Sequence, residues 1–190
     1  MQEGRLELEK VWRDHGDSLH KAFQIVLRKD FRENFHCELV YACRPHADGE
    51  LILLNPFYTP RLLRRFPLNP RQAEVAPRGE LLVLLVHELI HHVLSPELEL
   101  DAHRAALRLT HATVYSKLHR LIGVLEVEIL REAGFLSREP ELAFREASLY
   151  GYLLAGLRID DAIRLREEFL KTVYVKGVIE AIGSYLRKGC

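Results

Sequence analysis

No charge of one sign dominates this chain. Lys plus Arg and Asp plus Glu each number 27, so the formal net charge of the 190 residues is zero. A zero balance removes the broad basic footprint by which nucleic-acid-binding proteins attract phosphate, and no nucleic-acid partner is expected. Arg61, Arg64 and Arg65 form one local basic patch, which reads as a solvated helix face. Long hydrophobic runs are lacking as well. The longest, Leu81 to Val86, is cut by His87 and Glu88 before it resumes, and it falls far short of the ~20 apolar residues that span a bilayer. No membrane association is expected. Cysteine is scarce and odd in number: Cys37, Cys43 and Cys190 supply neither a disulfide framework nor the C-x-x-C spacing of a thiolate zinc site. The start, Met1-Gln2-Glu3-Gly4-Arg5, is charged and has no apolar leader segment. Together these features predict free thiols in a reducing compartment and a cytoplasmic protein. Repeats, low-complexity tracts and flexible linkers are also missing.

What the sequence does contain is an ordinary globular mixture, 48% hydrophobic and 28% charged, long enough to bury a core without staples. Residues 1–190 read as a single domain of mostly α, α+β class. Leu6, Val11, Leu19, Phe23, Val26 and Leu27 give an apolar stripe that predicts a helix over 3–33, with Gly16 as a point of interruption. Two short runs of strand character follow, Cys37 to Cys43 and Leu51 to Leu54. Arg44 to Glu50 lies between them with an Asp48-Gly49 turn signal, and a β-hairpin is the simplest reading. A helix is predicted from about Gly79 to Leu94. Ser95-Pro96-Glu97 stops it and supplies N-cap, N1 and N2 of the next helix, which runs to about Ala133 and ends at Gly134. Three more helices are predicted over 138–156, 159–173 and 175–188, the last two open to being continuous. The region 138–190 reads as a helical layer on the core, or as a surface through which a homo-oligomer forms.

The chemistry concentrates in His87-Glu88-Leu89-Ile90-His91. Residues four apart share one face of a helix, so His87 and His91 present two imidazoles about one turn apart, a spacing that suits two bonds to one tetrahedral zinc. Glu88 sits about 100° round the helix, where it can serve a metal-activated water as general base. Ten histidines make the bare spacing reachable by chance; the context carries the weight. Leu81 to Val86 before the motif and Val93-Leu94 after it make the helix apolar nearly all round, and therefore buried. Unpaired carboxylate and imidazole groups are costly in such a helix unless a metal or a wet cavity receives them. His92 reads as a supporting or rim residue rather than a ligand.

His-Glu-Leu-Ile-His on a helix that follows a predicted hairpin resembles the zincin superfamily of metallopeptidases, over about residues 37–110. The resemblance implies a zincin-like fold, with a small sheet packed on the motif helix, and a hydrolase that cuts a peptide or protein substrate with Zn2+ as cofactor. It implies His87 and His91 as ligands, Glu88 as general base, and Glu50 to Leu54 as an edge strand that pairs with extended substrate. A non-catalytic zinc-binding scaffold or regulatory protein of the same fold is the alternative.

Zinc in a catalytic site takes a third protein ligand and leaves one position open. Glu97, Glu99, Asp101 and His103 compete for that place. Glu97 lies six residues after His91, as the third ligand does in metzincin-like families, and Glu97-Leu98-Glu99-Leu100-Asp101 resembles the ExxxD element of gluzincins. Asp101 is favoured instead if the two helices form a tight antiparallel hairpin turning near Ser95, since it then mirrors the histidine pair. One of Glu97 and Asp101 can bind metal while the other orients an imidazole. Leu94 stands where metzincins have glycine, and Met1 is the only methionine, so no Met-turn follows. His111, Tyr115, Tyr150 and Tyr152 are candidates to donate to an oxyanion, each more simply read as packing or surface.

Overall fold

A computed structural model of the chain describes residues 2–29, 35–40, 46–48, 51–54, 82–94, 111–149 and 158–187. The architecture over these residues is mostly helical, with one small sheet. In chain order it comprises α1 (Gln2–Leu27), β1 (His36–Leu39), β2 (His46–Asp48), β3 (Leu51–Leu54), α2 (residues 82–94), α3 (His111–Glu132), α4 (Pro140–Leu149), α5 (Ile159–Lys176) and α6 (Val178–Arg187). Among the described residues, no helix is long and apolar enough to cross a membrane.

Helix α1 runs unbroken through Gly16, contrary to the expected interruption. Its buried face is Leu19, Ala22, Phe23, Val26 and Leu27, the i, i+3, i+4, i+7, i+8 pattern of an amphipathic helix. The first half contributes less, and Leu6 is exposed. The helix stops at Leu27 rather than near residue 33. Arg28 takes a left-handed φ of 55°, which closes the last turn through a hydrogen bond from its N–H to the carbonyl of Gln24.

The sheet has the order β1-β3-β2. Strands β2 and β3 pair antiparallel, with Asp48 opposite Leu51, so the Asp-Gly signal does join two paired strands. The partner differs from expectation, however. Strand β1 does not form the hairpin with Leu51 to Leu54; it runs parallel to β3 on the other side, His36 opposite Leu51 and Leu39 opposite Leu54. Leu51 to Leu54 is therefore the central strand of the three, not an edge. Its composition explains this: a continuous Leu-Ile-Leu-Leu run suits a strand flanked on both sides, with Ile52 and Leu54 fully buried. Cys37 on β1 is a free thiol, pushed up to about 12 by burial and secondarily by Glu38.

Helix α3 is the hub of the molecule. It packs against α1, α4, α5 and α6, and every residue from Leu121 to Leu130 is buried. Its end fits the glycine expectation. Gly134 has φ 86°, its N–H bonds the carbonyl of Arg131, and the N–H of Phe135 reaches back to Leu130. These two bonds form a Schellman motif, which caps the carbonyls the helix leaves open. Helix α4 starts at Pro140 with Glu141 in its first turn, as N1 proline and the helix dipole favour. Helices α5 and α6 are separate, divided at Gly177 with φ 86°. One hydrophobic cluster joins α1, β3 and α2 through α6.

Candidate metal centre

Helix α2 is buried almost all round, as its composition requires. Leu82 to Val86, Leu89, Ile90 and Leu94 are all core residues. His87 and His91 form the less buried stripe, with their ring centroids 5.0 Å apart. Half-burial suits ligands, because an ion has to reach them. Glu88 is buried at 5% exposure. His92 is also buried, at 4%, and faces Phe35 at 6.0 Å between centroids, so it is a core residue rather than a rim one, and it is not one of the imidazoles whose ligand atoms converge.

A third imidazole completes the cluster. His119 of α3 lies 5.6 Å from the His87 ring and 5.3 Å from the His91 ring, centroid to centroid. One ligand atom from each of the three lies within 4.8 Å of the others. Tetrahedral zinc with bonds of about 2.0–2.1 Å holds its nitrogens about 3.3–3.4 Å apart, so ring rotations within ~1.5 Å close the set. His87, His91 and His119 can thus hold one metal ion. Glu97, Glu99, Asp101 and His103 lie outside the described residues, as do Tyr150, Tyr152, the Arg61–Arg65 patch and the side chains of His111 and Tyr115.

The reading of the sequence missed His119 because it searched for the third ligand just beyond the motif. A signal was present. His119 and Glu126 are seven residues apart, two helical turns, and so share one face of α3. Glu126 stands in a buried apolar stretch, the same anomaly that marks α2. The pairs His91–His119 and His87–Glu126 run in opposite sequence directions, so α2 and α3 lie antiparallel here.

The electrostatics favour neutral ligands. Burial lowers the pKa of His87, and burial with the neighbouring His87 and His119 brings His91 down to about 3. Neutral imidazoles carry the lone pairs a metal needs. Burial is also the main influence on Glu88, pushing it up to about 7; His87 opposes this and the nearby Glu126 adds to it. Glu126 is raised well above the carboxylate range by burial alone. Its Oε2 lies 3.2 Å from His87 Nδ1, while Oε1 is buried with no hydrogen-bond partner among the described residues. Since His87 is shifted toward neutral and Glu126 toward protonated, their contact in the metal-free protein is a hydrogen bond more than an ion pair. A divalent cation among the imidazoles reverses that balance by favouring both carboxylates in their charged forms. Three neutral imidazoles beside two strained acids form a donor set that fits a cation.

Comparison with protein-family models, with curated proteins and with solved structures finds no significant match, so the meaning of this centre rests on its own geometry.

Proposed function

We propose that the protein is a zinc-dependent peptidase of zincin type, in which His87, His91 and His119 hold the ion and Glu88 is the general base. The observation that carries this reading is the convergence of three imidazoles from two helices, all with ligand atoms within 4.8 Å, beside the carboxylate that follows the first of them. Three neutral ligands leave the ion its full charge and one open position, the pattern of catalytic rather than structural zinc. Bound zinc supplies a water of lowered pKa and a Lewis acid for a carbonyl. Glu88 then works from its own chemistry. As the carboxylate that follows His87 on α2, it can accept a proton from that water and pass it to a leaving amine. The apolar wall of α2 keeps that exchange away from bulk solvent.

The substrate proposed is a peptide or protein. Because β3 is paired on both sides, an extended substrate that adds to this sheet has to use an outer strand, not Leu51 to Leu54. The cytoplasm is the compartment proposed, on the free thiol of Cys37. Self-association through the C-terminal helices is supported by the exposed Tyr174 and Val175 on α5, and a 22.0 kDa monomer in sedimentation equilibrium refutes it.

Elemental analysis and a peptide-cleavage assay on wild type and Glu88→Gln test the mechanism. Wild type carries about one zinc per chain, and Glu88→Gln keeps the zinc while its cleavage rate falls by about 10²–10⁴. Cleavage by Glu88→Gln at the wild-type rate overturns the role of Glu88. A wild-type protein that stays free of metal after dialysis against zinc overturns the metal centre itself.

A further inference from the structure

Two carboxylates are buried deep in α3, Glu126 at 1% exposure and Glu128 at 2%. They point to different neighbours, because residues two apart lie about 200° round a helix. Glu128 is fully provided for. It accepts from the guanidinium of Arg131 at 2.8 Å and from two nitrogens of Arg166 on α5, which ties two helices together. Glu126 has no arginine among the described residues. Its one described contact is His87 Nδ1 at 3.2 Å, and its second oxygen is buried without a partner among the described residues. A carboxylate in that position costs stability unless something else uses it.

We infer that Glu126 is a positioning residue for the metal centre, holding His87 as the Nδ1–H tautomer so that its Nε2 lone pair faces the ion. This rests on the reading of His87, His91 and His119 as a zinc site. Histidine has two ring nitrogens, and a neutral ring carries its proton on only one of them. A donor bond from Nδ1 to a charged Glu126, the form that a bound cation favours, would settle which and fix the ring plane at the same time. The carboxylate also makes the imidazole a stronger base, and so a stronger ligand, through the polarised N–H. His119 and Glu126 share one face of α3 two turns apart, so a single helix face supplies one direct ligand and the support for another. Glu126 also stands close enough to Glu88 for its charge to act on that carboxylate.

A structural role and a positioning role predict opposite signs, which makes the inference testable. The probe is Zn2+ alone, titrated against a chromophoric chelator, together with the Tm of metal-stripped protein. Glu126→Leu fills a similar volume and removes a buried, half-satisfied carboxylate, so its metal-free Tm is unchanged or higher than wild type. Its zinc affinity falls by about 10–100-fold. Glu126→Gln keeps a neutral acceptor for Nδ1–H, so its affinity lies between those of wild type and Glu126→Leu. Equal zinc affinity in Glu126→Leu and wild type overturns this inference and leaves the metal centre standing. A metal-free Tm that drops in both variants assigns Glu126 to the fold and overturns it as well. A wild-type protein that binds no Zn2+ overturns the metal centre, and this inference with it.

Discussion

His119→Ala is the perturbation that separates the observed cluster from the ligands the motif spacing suggested. Zinc bound by four protein ligands in small peptides is worth about 10–16 kcal/mol, so one ligand accounts for roughly 2.5–4 kcal/mol. At 1.4 kcal/mol per decade this is a loss of about 10²–10³ in zinc affinity. Chelator competition reads that loss directly, and thermal denaturation reads it a second way. A ligand that binds only the native state stabilises it by about 4 kcal/mol at a concentration 1,000 times its Kd. For a chain of this size that raises Tm by about 8–16 °C. At the same zinc concentration, His119→Ala retains only about 0.4–1.4 kcal/mol of stabilisation, a rise of ~1–6 °C. His36→Ala is the control, since that imidazole is exposed and stands on β1 outside the cluster. His119→Ala with undiminished zinc affinity refutes the assignment. If Glu97→Ala or Asp101→Ala then releases the metal, the third ligand lies where the motif spacing put it.

Two further tests address the electrostatics and the fold. Glu88 has its folded pKa raised from 4.5 to about 7, so between those values the native state binds more protons than the unfolded chain, and native stability falls as pH rises. In metal-stripped protein, Glu88→Gln should therefore gain on wild type across that window, by up to about 3 kcal/mol; urea denaturation at pH 4.5 and 7.5 measures the difference, and one that does not change with pH refutes the burial effect. Gly134 at φ 86° has open space where a Cβ would go, so Gly134→Ala should cost only its backbone conformation, about 1–2 kcal/mol, and a urea midpoint identical to wild type removes the Schellman cap from the account.

The helices of this protein were legible because the features that make them are local. The stripe from Leu19 to Leu27 and the glycine at 134 each act within a few residues, and the structure has both where the sequence puts them. The sheet was legible only in part. Leu51 to Leu54 reads as a strand on composition, and the Asp-Gly pair marks a reversal. Which strand lies on its far side is decided by a pairing across the intervening residues. No local pattern distinguishes the parallel partner His36–Leu39 from the antiparallel one first expected. The end of α1 was also misjudged, because apolar periodicity does not report that Arg28 turns left-handed.

The metal centre divides along the same line. His87 and His91 are one turn apart on one helix, so helical geometry alone brings them together. His119 reaches them from another helix, and its place depends on how α3 packs against α2, which no spacing rule near the motif encodes. The cost of burial leaves a trace of such a contact even so. A stretch as apolar as Leu121 to Leu130 has no reason of its own to carry glutamates, and each buried carboxylate needs a partner from elsewhere in the chain. For Glu128 the partners are Arg131 and Arg166, which account for it entirely within the fold. For Glu126 the one described partner is an imidazole of the HExxH motif. Following each buried carboxylate to its counter-group therefore separates the one explained by architecture from the one that leads to the imidazole cluster, and to His119 two turns back on the same face.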